Sequence, residues 1–434
     1  MSIKNLKLMA RGSKRKARIY LDYASSTPIA PEVLKVIQKA EKEVFGNPSS
    51  IHKEGVEAKK LLEESRVKIA RSLECRAEEL VFTSGGTESN NMAIFGAFTD
   101  GAHVITTTIE HSSVLEPIRE LEKRGATVTY LKPNSEGLIN PEDVGKVLRP
   151  ETALVSIQYA NSEIGVVQPI LKIGKLLSDF QNQRELQNPK QKPKTGRQTN
   201  FKLKVAKPVF HVDASQAPMY LNCSPSHLGA DLVTFDAHKM HGPKGIGLLY
   251  KRRNVNLSPL IFGGGQENEL RSGTENAPSA MGFAKAFELA FALREKESKR
   301  LKKLADYFYS LIRTNKRIDA DSGMAKRVVI NGSLEKRLPC NINISIEGIN
   351  AEFFVLQLDA VGIACSTKSS CEEGKEESYV VKSLGGPKWR AKCALRFSLG
   401  RYTQKSDIDY LMKILENCVR KAIYKKENYE NMVE

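Results

Sequence analysis

Short apolar runs of strand character alternate with longer amphipathic runs of helical period along most of this chain, and few folds accommodate that order. Apolar runs lie at Glu79–Thr83, His103–Thr107, Thr127–Leu131, Ala153–Tyr159, Pro208–Val212, Leu232–Phe235 and Gly247–Tyr250. Helical patterns such as Gly55–Ser72, Glu88–Phe98 and Val114–Arg124 fall between them. Strands spaced by helices pair mostly in parallel, which predicts an α/β class with a mainly parallel seven-stranded sheet. From Pro278 to Lys316 the pattern is one long helix, a candidate bridge between domains. A second block follows, strand-like at Asn341–Ile346 and Ala394–Ser398 and helical at Ala351–Ala360 and Ser406–Lys425. With 434 residues and 41% hydrophobic content, the chain has enough apolar surface for a large core and a smaller one.

No apolar run approaches the length of a membrane span, and no signal-peptide core is present, so a soluble protein is expected. Seven cysteines, odd in number and widely scattered, make no disulfide framework and suit a reducing, cytoplasmic compartment. None forms a pair with zinc spacing, and no metal is expected. The formal charge of +17 invites a nucleic-acid reading, yet much of the excess lies in Met1–Tyr20 and Gln183–Lys207. Neither stretch interleaves aromatics with its charge. Solvated extensions and a weak polyanion contact both remain open, as does a targeting role for the N-terminus. Gln183–Lys207 is low in complexity and reads as a mobile surface insertion.

Candidate chemistry gathers around Lys239. The segment Asp231–Tyr250 reads as an apolar strand, a polar turn, this lysine and a glycine-rich return. A lysine at the lip of a strand can form a Schiff base with an aldehyde cofactor, although most lysines are solvated charges. The upstream segments suit pyridoxal phosphate. Thr83-Ser-Gly-Gly-Thr-Glu-Ser-Asn-Asn91 puts glycines and hydroxyls where a strand gives way to a helix, as a phosphate needs, and as an ordinary capped turn would too. Asp213 ends an apolar strand and can keep a pyridine nitrogen protonated, or simply cap a helix. His111, after strand His103–Thr107, can stack on a ring or act as a cap. Cys371 stands in a polar stretch between apolar segments, an exposed setting for a free thiol, and Lys368 nearby would favour its thiolate. Cys365 reads as core.

Taken together these blocks resemble the cysteine desulfurases, pyridoxal-phosphate enzymes related to the class-V aminotransferases. They are most similar to the branch whose long cysteine-bearing loop serves iron–sulfur cluster assembly and tRNA thiolation. The resemblance runs from Ile19-Tyr-Leu-Asp-Tyr-Ala-Ser-Ser-Thr-Pro28 to about Tyr402. It rests on Gly46-Asn-Pro-Ser-Ser50, Phe82–Ser89, Glu163-Ile-Gly-Val-Val-Gln168, His211–Gln216, His238-Lys239, Arg271-Ser-Gly-Thr274 and Arg396-Phe-Ser-Leu-Gly-Arg401.

The resemblance implies an aspartate-aminotransferase-like fold. Residues 28–275 would form the large domain, and residues 1–27 and 276–434 a small α+β domain carrying the cysteine loop. It also implies roles. Lys239 would hold the cofactor and His111 would stack on it; Asp213 would pair with its nitrogen, and Gln216 and Ser162 would face the ring oxygen. Gly86, Thr87 and His238 would hold the phosphate, joined by Thr274 from the other subunit of a homodimer. Arg396 and Asn47 would bind the substrate, L-cysteine, and Cys371 would carry its sulfur as a persulfide to an acceptor protein, leaving L-alanine. A related lyase acting on selenocysteine, or a non-catalytic scaffold, are the alternatives.

The chain departs from the family pattern at four places. Ser162 replaces a longer asparagine. Asp236 replaces a phosphate-binding serine, and its carboxylate is expected to turn away, toward Lys239 or Arg271. Lys368 replaces a glycine and is expected to lower the Cys371 pKa. The Gln183–Lys207 insertion has no counterpart.

Overall fold

The structure, a computed structural model, describes residues 18–187, 207–314, 328–368 and 377–417. Its strands are β1 (Ile19–Tyr20), β2 (Leu80–Thr83), β3 (His103–Thr107), β4 (Thr127–Leu131), β5 (Thr152–Ser156), β6 (Val209–Asp213), β7 (Leu232–Asp236), β8 (Gly247–Lys251), β9 (Val328–Ile330), β10 (Asn341–Ile346), β11 (Ile363–Ala364) and β12 (Ala394–Ser398). Seven of them form one sheet in the order β2-β8-β7-β6-β5-β3-β4. The pairs β3–β4, β3–β5, β5–β6 and β6–β7 are parallel; β8 alone runs against its neighbours β2 and β7. Central strands such as β7 are buried at every residue, so they read as continuous apolar runs without alternation.

Helices cover both faces of this sheet. Lys53–Leu73 and the first half of the long helix Ala277–Thr314 pack into its core through Ile69, Leu73, Ala280, Phe283 and Phe287. The second half of that helix sends Leu301, Ala305 and Phe308 into a separate core. There they meet Ile342, Ile344, Leu395 and Phe397 of the antiparallel sheet β12-β10-β9. The same core takes Ile19 and Ile363 from the parallel pair β1–β11, so the start of the chain is stitched to its last third. Thus one helix joins two cores, as its length in the sequence suggests.

Helices unremarked in the sequence include Pro31–Glu43, Pro141–Val147 and Ile170–Gln187. The last runs into the stretch read as an insertion, whose residues 188–206 lie outside the described ones. Helix 405–417 matches the predicted C-terminal helix as far as the description extends. Among the described residues no helix is long and apolar enough to cross a membrane.

Candidate active site

The carboxyl ends of β2, β3, β5, β6 and β7 open on the same side of the sheet, the edge where open α/β sheets bind ligands. Each contributes through the turn that follows it. A cavity of about 190 Å³ is lined there by Gly86 and Thr87 after β2, His111 after β3, and Ser162 after β5. Asp213 and Gln216 come from β6, Asp236, His238 and Lys239 from β7, and Arg396 from β12. Sequence positions more than 300 residues apart therefore meet in one chamber.

Lys239 ends a short helical turn, and its Nζ donates to the carbonyls of Ala24 (2.8 Å) and Ser25 (2.7 Å). Gln216 donates to the same Ala24 carbonyl at 2.9 Å. The segment before Pro28 thus forms part of the cavity wall. Asp213 is fixed from two sides: Asn90 Nδ2 donates to Oδ2 at 2.9 Å, and the Ser215 amide and hydroxyl donate to Oδ1 at 3.0 and 2.6 Å. Asn90 in turn donates to Ser113 Oγ. His111 caps helix Ser112–Lys123, with its Nδ1 accepting from the Ser113 amide at 3.1 Å. An amide can only donate, so in the neutral ring Nε2 carries the proton. His111 is thus a helix cap that also lines the cavity.

Arg396 is 1% exposed. Its Nη2 donates to Asp22 Oδ1 (2.9 Å) and Ser25 Oγ (2.6 Å), and its Nη1 to the Ser162 carbonyl (3.1 Å). Its Nε finds no acceptor among the described residues, so the guanidinium keeps a donor in reserve.

Beneath the cavity Glu110 is fully buried, with Oε1 accepting from Thr107 Oγ1 at 2.6 Å and Oε2 from the Gln158 amide at 2.8 Å. Burial pushes its carboxyl up to about 8, more than the Thr107 contact pulls it down. His211, buried behind Asp213, is pushed by the same desolvation down to about 4.

Asp236 departs from expectation. Its Oδ2 accepts the Gly86 amide at 2.8 Å and its Oδ1 lies 2.6 Å from His238 Nδ1, while the Lys239 charge also acts on it. Burial opposes its charge, but the His238 contact and the Gly86 amide hold the carboxyl below its usual range. Arg271 pairs with Glu88 at 2.9 Å. The reason is local: the first amides of helix Gly86–Gly96 have no partner within the helix, and a carboxylate at that positive end satisfies one.

Two expected residues lie elsewhere, and a third is outside the described residues. Asn47 is exposed, with Oδ1 accepting the Ser49 amide, and Thr274 is exposed on a loop; neither lines the cavity of its own chain. Cys371 lies outside the described residues, but both flanks of its segment are anchored. Ser366 exchanges backbone hydrogen bonds with Arg396 at 3.1 and 2.7 Å, and the Tyr379 hydroxyl donates to the Glu110 carbonyl beside His111. Lys368 is bonded to Glu352 at 3.2 Å, which answers part of its charge. Cys365 is core, its thiol pushed up to about 12 by burial. Sequence reading missed Asn90, Ser113, Ser215 and Asp22. The only signal was that all four stand within or beside motifs already singled out.

An amine, a clamped carboxylate, an imidazole and a helix N-terminus around one chamber are a donor set that fits pyridoxal phosphate. The buried guanidinium with a spare N–H fits the carboxylate of an amino acid.

Comparison with known proteins agrees. The class-V aminotransferase family model matches residues 19–182 and 199–411, leaving 183–198 unmatched inside the segment read as an insertion. Cysteine desulfurase IscS of Dictyoglomus turgidum is 40% identical over 421 residues, covering 95% of this chain and 98% of that one. Cysteine desulfurase IscS 1 of Archaeoglobus fulgidus is 35% identical, covering 93% and 97%. Among solved structures, a NifS-like protein superposes with a TM-score of 0.79 at 31% identity, covering 93% and 99%. A structure described as SspA in complex with cysteine gives 0.70 at 31% identity, covering 89% and 100%. With its cavity at the strand ends and relatives matched over nearly their whole length, the chain belongs to the class-V aminotransferase family, among its pyridoxal-phosphate-dependent cysteine desulfurases.

Proposed function

We propose that the chain moves the sulfur of L-cysteine onto Cys371 and releases L-alanine, with the following division of labour. Lys239 holds the cofactor through Nζ and moves the substrate's α-proton. Asp213, oriented by Asn90 and Ser215, answers positive charge on the ring nitrogen. His111 serves the ring face, and Gln216 and Ser162 the ring oxygen. Gly86, Thr87 and His238 hold the phosphate, with Thr274 of the partner subunit. Arg396 takes the substrate carboxylate, assisted by Asn47. When bound, pyridoxal phosphate supplies an electron sink for the substrate's α-carbon. The Cys371 thiolate attacks the substrate sulfur: an S–S bond forms, the Cβ–S bond breaks with its electrons left on carbon, and protonation gives alanine.

One observation carries this reading. Amine, carboxylate, imidazole and guanidinium converge on a single cavity, and both roots of the Cys371 segment are tied to its wall. The test is cysteine-dependent alanine formation by the full-length protein beside Cys371→Ala. The variant is expected to keep the yellow colour of the bound cofactor and lose alanine formation. Wild-type turnover by the variant would overturn the assignment of the nucleophile.

The proposal extends to setting. The persulfide passes to an acceptor protein for iron–sulfur assembly or tRNA thiolation, in the reducing cytoplasm. Free Cys75, Cys223, Cys340, Cys365 and Cys393 support a reducing milieu. The enzyme works as a homodimer, a reading supported by Thr274, which is exposed and does not line its own cavity. Residues 28–275 act as the cofactor-binding domain and the remainder as the small domain. The basic segments at the N-terminus and at 183–207 are left for a weak polyanion contact.

A further inference from the structure

Asp236 sits where the proposed function needs room for a phosphate. The helix Gly86–Gly96 begins at the end of β2 with its first amide aimed into the cavity, and a carboxylate already occupies that amide at 2.8 Å. The fit is close. A Cβ added to Gly86 would lie 3.0 Å from Asp236 Oδ2 and 3.1 Å from Ser215 Oγ. The other oxygen is bonded to His238 at 2.6 Å, so two of the groups assigned to the phosphate, Gly86 and His238, are engaged by one side chain. Asp236 is 7% exposed and is itself the N-cap of the turn that carries His238 and Lys239, where Oδ1 also accepts the His238 amide at 3.3 Å.

We propose that Asp236 is a built-in anion that occupies the phosphate cup and makes the cofactor's phosphate compete for it. The inference rests on the cofactor assignment above and deepens it. A phosphate entering the cup must take the Gly86 amide and His238 from a carboxylate that brings its own negative charge. Charge-assisted hydrogen bonds are among the stronger ones a protein makes, so the competition is measurable. Two consequences separate this role from a structural one. The empty protein keeps its cup ordered without any phosphate. The phosphate also adds little to cofactor affinity, so pyridoxal and pyridoxal phosphate bind more nearly alike than in a protein with a neutral residue at this position.

The experiment compares wild type with Asp236→Ser and Asp236→Asn, full length and freed of cofactor. Each is titrated with pyridoxal phosphate, with pyridoxal and with inorganic phosphate, reading absorbance of the lysine adduct and thermal unfolding. In Asp236→Ser, pyridoxal phosphate is expected to bind at least about tenfold more tightly, the equivalent of about 1.4 kcal/mol. Pyridoxal is expected to bind as in wild type. Inorganic phosphate should raise the unfolding temperature of the variants and leave wild type unmoved. Equal stabilisation of all three proteins by inorganic phosphate, or pyridoxal phosphate binding that weakens in both variants, would overturn the proposal. Absence of a lysine adduct in every protein would count against the cofactor assignment, while the inorganic phosphate arm would still decide the role of Asp236.

Discussion

At the scale of single residues, burial next to the cavity decides whether a carboxyl carries charge. Glu110 shows this most directly. Its carboxyl titrates at about 8 in the folded protein against 4.5 in an open chain, because desolvation outweighs the Thr107 hydrogen bond. A raised folded value means that the folded state holds the proton longer. The stability it contributes is fully present below about pH 4.5 and is lost as pH rises toward 8. Glu110→Gln removes that dependence. Wild type is therefore expected to lose stability relative to the variant between pH 5 and 8, with a slope of at most about 1.4 kcal/mol per pH unit. Parallel urea unfolding series that change identically with pH would refute it. Arg396 supports a second expectation. Its planar fork is already bonded to Asp22, Ser25 and the Ser162 carbonyl, and Nε is left without an acceptor among the described residues. Arg396→Lys loses the fork, and KM for cysteine should rise by about tenfold or more with a smaller change in kcat. An unchanged KM would remove Arg396 from substrate binding.

Elements are held in place by a buried ion pair whose two residues do not line the cavity. Arg66 on helix Lys53–Leu73 makes a two-pronged contact with Glu267, Nη1 to Oε2 at 2.7 Å and Nη2 to Oε1 at 2.8 Å. Arg66 Nη1 also donates to the Leu80 carbonyl, and Glu267 Oε2 accepts the Phe82 amide. One pair therefore fastens a helix, the strand β2 and the loop before Arg271. Glu267 adopts a left-handed backbone with φ of 49°, a conformation the surrounding contacts must sustain. Glu267→Ala leaves the buried guanidinium only the half-exposed Glu63 and the Leu80 carbonyl, and is expected to cost about 3 kcal/mol in chemical denaturation. Replacing both partners with apolar residues of similar volume should recover much of that loss. If the single variant unfolds like wild type, the pair is not what joins these elements.

For the molecule as a whole, the open question is what covers its exposed apolar side chains. Phe262 is 81% exposed, Ile51 97% and Phe45 77%. Phe262 lies beside Ile261, which bridges to Arg271, three residues before Thr274. The proposed subunit contact thus carries its own apolar anchor. Sedimentation should give twice the 48.3 kDa of one chain, and Phe262→Asp should shift the distribution toward monomer. A wild-type protein that sediments as a monomer would exclude the shared site.

The order of apolar and amphipathic runs determined the fold class, the seven strands and the bridging helix, because strand and helix periodicities are local properties of the chain. The motifs likewise named Lys239, Asp213, His111 and Arg396, whose residue types suit one chemistry at the ends of strands. Other features were not legible in the sequence because they depend on distant segments meeting. The closure of the cavity by Ala24 and Ser25, the clamp of Asn90 on Asp213 and the burial that shifts Glu110 are of this kind. Asp236 is the clearest case. Charge repulsion read along the sequence turned it away from the phosphate cup. In three dimensions an unpartnered helix amide and His238 stand within hydrogen-bonding reach, and their attraction decides where the carboxylate sits.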